Sequence, residues 1–142
     1  MPKVFTSKSQ KTGELGEDLA VKYLKNKGFT IIERNFTKKW GEIDIIASKQ
    51  NKIHFIEVKS VSCETLGNVF SYQGIRPEEN MHSNKLKKFY RTVEGFLAFD
   101  ASRYIPDFNK NRELSWQIDL LCVYIDRENK KARVKVIQNI VG

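Results

Sequence analysis

At 142 residues, 40% of them hydrophobic and 30% charged, the chain is too apolar to be disordered and fits one ordinary domain. No apolar run approaches the roughly 20 residues of a membrane span, and the N-terminus MPKVFTSKSQKTGE has no hydrophobic stretch to serve as a secretion signal, so a cytoplasmic protein with no membrane association is expected. Lys and Arg number 25 against 17 Asp and Glu; the net charge of +8 serves solubility in the plainest case, but it favours polyanionic partners, nucleic acid first. Cys63 and Cys122 lie far apart and form no C-x-x-C pair, and His54 and His82 are the only histidines, so any metal here is expected to be held by oxygen.

Residues 1–10 read as a polar, flexible tail. The segment GELGEDLAVKYLKNKG then reads as a helix, with Leu15, Leu19, Ala20, Tyr23 and Leu24 recurring at helical spacing and Gly28 as its stop. A strand is predicted from Phe29 to Asn35. Two more follow, EIDIIAS and IHFIEVKSV, joined by the polar turn Lys49-Gln50-Asn51-Lys52. Residues 62–84 lose periodicity and read as a long loop. A second helix starts near Ser83, with Leu86, Phe89, Tyr90, Val93, Phe96 and Leu97 as its apolar stripe. After an irregular stretch through Pro106, WQIDLLCVYID and ARVKVIQNIV read as strands around the turn RENKK. The order predicts an α/β fold, a mixed central sheet of about five strands flanked by helices, in a single domain spanning 1–142.

The chemistry is concentrated in the first hairpin. If the four-residue turn makes Ser48 and Ile53 a facing pair, Ile46 faces Phe55 and Asp44 faces Glu57. Lys59 projects from the same face, because strand side chains alternate. Two opposed carboxylates repel, and a divalent cation bridging them removes the penalty; magnesium takes a few carboxylate oxygens and leaves its other positions to water and phosphate. An adjacent lysine then serves the attacking water or the charge on the phosphate. A solvated cross-strand ion pair at Lys59 is the alternative, and a one-residue slip would carry Asp44 to the opposite face. Glu17 sits at the edge of the first helix's apolar stripe, where it either leans toward the hairpin or, with Glu14 and Asp18, stabilises the helix dipole.

With these residues in place, the chain resembles the YraN family of small bacterial proteins, related to archaeal Holliday-junction resolvases and to the restriction-endonuclease-like PD-(D/E)xK nucleases. The match runs through GELGEDLAVKYLKNKGFTIIERNF, GEIDIIA, IHFIEVKS and WQIDLLCVYI. The resemblance implies a restriction-endonuclease-like fold. It also implies a metal held by Asp44 and Glu57, a backbone carbonyl from Val58, a water-serving Lys59 and an outer carboxylate at Glu17. The chain departs from the pattern at Val61, where the family usually has arginine. It departs again in the longer stretch CETLGNVFSYQGIRPEENMHSN, and at Gln117-Ile118-Asp119, where the family often has R-F-D.

The second helix offers Lys85, Lys87, Lys88 and Arg91 near its N-terminal end, as phosphate contacts or as a solvated face. Lys85 best matches a lysine on the family's helix. Arg34 and Asn35 are further candidates for the cleft. Trp40 and Tyr72 either stack on bases or fill the core. The expected function is a DNA endonuclease dependent on Mg2+, with Mn2+ able to substitute, acting on branched or structured DNA and leaving a homodimer open. The competing expectation is a non-catalytic nucleic-acid-binding module on the same fold.

Overall fold

The computed structural model describes residues 8–62, 83–110 and 113–140. Five strands form one sheet in the order β1-β2-β3-β4-β5: β1 Thr30–Lys38, β2 Gly41–Lys49, β3 Lys52–Ser62, β4 Ser115–Asp126 and β5 Lys131–Ile137. β3 and β4 pair in parallel, and the other neighbours are antiparallel. The result is an α/β fold with a mixed sheet and flanking helices, as the element order predicted. Among the described residues no helix is long and apolar enough to cross a membrane. The long loop read at 62–84, with Cys63 and Tyr72, falls almost entirely outside the described residues.

Helix α1, Lys8–Asn26, begins three residues inside the segment read as tail. It buries Ala20, Val21 and Leu24 against Ile45, Ala47, Ile56, Leu121 and Val123 on one face of the sheet. Helix α2, Ser83–Gly95, covers the other face, setting Phe89 and Val93 against Phe36, Ile46, Phe55 and Ile118. Covered on both sides, β4 is buried at every position from Gln117 to Asp126, which explains its unbroken apolar run.

The stretch read as irregular before Pro106 is instead helical. After α2 the chain makes a π-helical turn, Phe96–Asp100, and then α3, Ala101–Tyr104, with helical dihedrals at both junctions. Phe96 and Ala101 are both fully buried but five residues apart, so the wide turn shifts the apolar stripe out of α-helical phase. A search for one period sees the helix end there.

Between β2 and β3, Lys49 pairs with Lys52, and Gln50 and Asn51 take φ of 51° and 62°. Positive φ at both central residues is what a two-residue hairpin loop needs to match the strand twist. The predicted facing pairs, Ser48 with Ile53 and Ile46 with Phe55, are present.

A buried polar tie joins β3 to β4, with Asp119 paired to Ile56 beside Glu57. His54 Nδ1 lies 2.6 Å from Asp119 Oδ2, while Gln117 Nε2 and the Asn139 backbone N–H donate to Asp119 Oδ1 at 2.7 and 2.9 Å. Burial opposes ionisation, yet these hydrogen bonds together hold Asp119 below the usual carboxylate range.

Helix α1 approaches β3 most closely at Gly16, where a Cβ would overlap the Ser60 side chain down to its own Cβ. Gly16→Ala should therefore lift the helix and cost about 1–3 kcal/mol, as overpacking does. Urea denaturation would show the loss, and adding Ser60→Gly should restore most of it; a neutral Gly16→Ala would mean that the helix yields freely.

Candidate active site

The β2–β3 ladder ends at Ile45 and Ile56. One step further along the same register stand Asp44 and Glu57, where no pair closes. Here Asp44 turns its carboxylate into the ladder: Oδ2 accepts the Val58 backbone N–H at 2.8 Å. The β1–β2 register likewise pairs Arg34 with Ile45 and Phe36 with Ile43, leaving Asn35, at φ 53°, beside Asp44. The strands thus part around one carboxylate.

The surroundings of Asp44 are acidic. Burial, then the charge of Glu57, then that of Glu17, push its carboxyl up to about 8, against the lowering effect of the Val58 N–H. Glu57 therefore stands near enough to Asp44 to oppose its ionisation. Each residue is positioned by a different element: Asp44 by β2, Glu57 by β3 and Glu17 by α1 from the opposite face.

Glu17 is raised above its ordinary value, chiefly by burial, although Arg34 and the Asn35 side chain pull it down. Arg34 Nη2 contacts Asp18 Oδ1 at 2.7 Å and Glu17 Oε1 at 3.4 Å, and its buried Nε has no hydrogen-bond partner among the described residues. Arg34 and Asn35, read from sequence as cleft residues, are thus engaged with the acids of α1, and what they fix is the position of Glu17.

Of the predicted cations, Lys85 reaches the centre. Its Nζ lies 3.0 Å from Glu57 Oε1, from the first turn of α2. Lys59 is half-buried and shares Glu57's face, since β3 pairs with β4 without a register shift and Val58 between them packs toward α1. Lys87, Lys88 and Arg91 are exposed further along α2 and form no ion pair among the described residues. The two features sequence reasoning missed are the partners of Arg34 and the ion pair on Glu57. The opposite charges were visible in the sequence, but nothing in their spacing joined them.

Among the described residues no three His, Cys, Asp or Glu side chains gather into a complete protein ligand set. Two adjoining carboxylates suit magnesium, which is bound through one or two carboxylates and keeps waters in its other positions. They do not suit zinc, which wants three or four protein ligands of nitrogen and sulfur.

Fold and site together define an α/β protein with a carboxylate centre where two antiparallel strands separate. The chain belongs to the uncharacterised protein family UPF0102, the YraN family, whose model matches residues 16–137. A UPF0102 protein of Campylobacter lari is 42% identical over 129 residues, covering 90% of this chain and 91% of that one. One from Campylobacter fetus subsp. fetus is 39% identical over 128 residues with the same coverage. Another, from Fervidobacterium nodosum, is 41% identical over 115 residues, or 80% of this chain and 73% of its own.

Because the folded protein keeps the Asp44 proton that an unfolded chain loses near 3.8, metal-free stability falls as pH rises from there to about 8. Asp44→Asn has no such proton to lose. Its melting temperature relative to wild type should climb across that window and level off above it, and added Mg2+ should shrink the gap by stabilising the wild type. Thermal melts from pH 4 to 9 in EDTA would check this; a constant difference would contradict a raised Asp44.

Proposed function

We propose that the chain is a magnesium-dependent DNA endonuclease of the restriction-endonuclease-like class, acting on branched or otherwise structured DNA in the cytoplasm. One observation carries it: Asp44 and Glu57 meet, one step past the last strand pair, in an arrangement that costs free energy unless a cation or a proton occupies it. A purely structural role would not favour that cost. The net charge of +8 supplies the attraction for a polyanion, and no sequence-reading element is evident, so backbone and shape would be recognised.

Asp44 and Glu57 would hold the cation, with the Val58 carbonyl as a further oxygen. Magnesium, when bound, supplies a Lewis acid for the phosphoryl group. Lys59, on Glu57's face, offers an ammonium to the charge that builds on the phosphate in the transition state. Glu17, held by Arg34 and Asn35, keeps a carboxylate of raised pKa at the edge of the site, suited to taking a proton from an ordered water. Lys85 neutralises Glu57 in the free protein and turns to substrate phosphate when Glu57 is otherwise engaged, while Lys87, Lys88 and Arg91 continue the basic track along α2. Mn2+, with similar oxygen preferences, would substitute.

The deciding measurement is cleavage of linear, flapped and four-way-junction DNA, wild type beside Asp44→Ala, with Mg2+ or Mn2+ and with EDTA. Wild type should cut a structured substrate only with metal, and the variant should lose that by orders of magnitude. Its metal-free DNA affinity should hold or rise slightly, since a negative charge near the phosphates is gone. Equal cutting by both proteins would refute the site. Binding without cutting by either would identify a binding module.

A further inference from the structure

We propose that Trp40 and Phe99 form a stacking platform for unpaired nucleotides, set at the far end of a basic track that begins at the carboxylate centre. Both rings lie in solvent, with Trp40 52% and Phe99 78% exposed.

Neither exposure comes from a loose segment. Trp40 sits in the turn between β1 and β2, and that turn is fastened along the helix at three points. Gly41 lies under Thr92; the indole rests against Gly95, where a Cβ would be 3.5 Å from its Nε1; and Lys38 reaches Asp100 at 3.5 Å. A Cβ at Gly95 would meet the indole in ordinary van der Waals contact, so the ring lies flush against the helix there.

Phe99 is four residues beyond Gly95, hence on the same side of the helix one turn on. It belongs to the π-helical turn, whose Phe96 and Asp100 are buried. The turn keeps those two inside and leaves Phe99 outside.

Lys85 (which touches Glu57), Lys88, Thr92 and Gly95 recur at three- and four-residue spacing on α2, with Thr92 fully buried where the β1–β2 turn crosses the helix, and Phe99 follows in the π-helical turn. From Lys85 to Phe99 the helix runs roughly 20 Å at 1.5 Å per residue. Cations stand at the end near Glu57 and aromatic rings at the other. Lys39, Lys88 and Arg91 border it, exposed and without ion pairs among the described residues. Of the nearby acids, Asp100 is already matched by Lys38 and Arg103, which leaves Glu42 and the exposed Glu94 against the cations.

This composition selects the occupant. A protein partner's apolar anchor would ask for a contiguous aliphatic patch, whereas Trp40 stands between Lys39 and Gly41 and rests against Gly95. A single strand presents phosphates to the former and bases to the rings, which stack on any base. The platform deepens the nuclease reading by specifying a substrate class, DNA with an unpaired strand beside the scissile junction. Its own test needs no cleavage.

The test is fluorescence anisotropy of the full chain in EDTA, with labelled oligo(dT), a blunt duplex and a duplex carrying a single-stranded tail. Trp40→Ala and Phe99→Ala should each weaken binding to oligo(dT) and the tailed duplex roughly 5- to 100-fold, the scale of one base–aromatic stack. Blunt-duplex binding should stay within about twofold, and Trp40→Phe should recover most of the loss, since a ring is kept. Thermal melts would verify that these surface variants remain folded. Unchanged oligo(dT) binding would overturn the platform, as would an equal loss on all three DNAs. So would sedimentation showing that the rings hold two copies of the chain together or that no DNA binds. If wild type cuts nothing yet the variants lose tailed-DNA binding selectively, the nuclease reading fails and the platform stands.

Discussion

The structure is organised around two carboxylates that the strand register forces together. Two like charges held close together and partly out of water repel strongly enough to matter against a small domain's net stability. The β2–β3 hairpin accepts this at Asp44 and Glu57, and neighbouring groups answer it. A proton answers it on Asp44, the Val58 N–H answers it from the backbone, and Lys85 answers it on Glu57. Each answer is local and reversible, which is the property a site needs if a cation and a phosphate are to replace it.

The rest of the fold supplies what that arrangement requires. Helix α1 must come close enough for Glu17 to be felt by Asp44, and Gly16 against Ser60 allows that approach. Glu17 must also be kept from swinging away, and Arg34 and Asn35 hold it from β1. From the other face, α2 brings its first turn over Glu57. Three separate elements therefore converge on a gap in the sheet, whose buried interior is β4. Beside Glu57, the buried Asp119 ties β3 to β4 through His54 and to the segment after β5 through Asn139.

How much of this was legible in the sequence depends on the range of the interaction involved. Asp44, Glu57 and the turn between them lie within one hairpin, where alternation and turn length determine which side chains meet, and their juxtaposition followed from counting. The apolar stripe of α2 was legible for the same reason, and that of α1 at Ala20 and Leu24, though Leu15, counted into it, is exposed and the buried Val21 was not counted. The continuation of α2 was not legible, because the π-helical turn moves Ala101 five residues from Phe96 and breaks the periodicity being counted. The links from Lys85 to Glu57 and from Arg34 to Asp18 join residues brought together only by the packing of helix on sheet, and no local pattern encodes them. Trp40 had two readings, base-stacking or core. Its exposure excludes the core, because Gly95 offers its indole a surface and not a pocket.

The two connections that flank β3 differ in what they allow evolution to change. Between β3 and β4 the chain makes a long excursion, and the entropy of closing a loop grows so slowly that doubling its length costs only about 0.6 kcal/mol. Insertions there are cheap, and this is where the chain carries its longer stretch of unusual sequence. The turn before β3 has two residues, both at positive φ. One residue added or removed there would shift β2 against β3 by a step and turn Asp44 away from Glu57. The length of that turn is therefore fixed by the register that brings Asp44 beside Glu57.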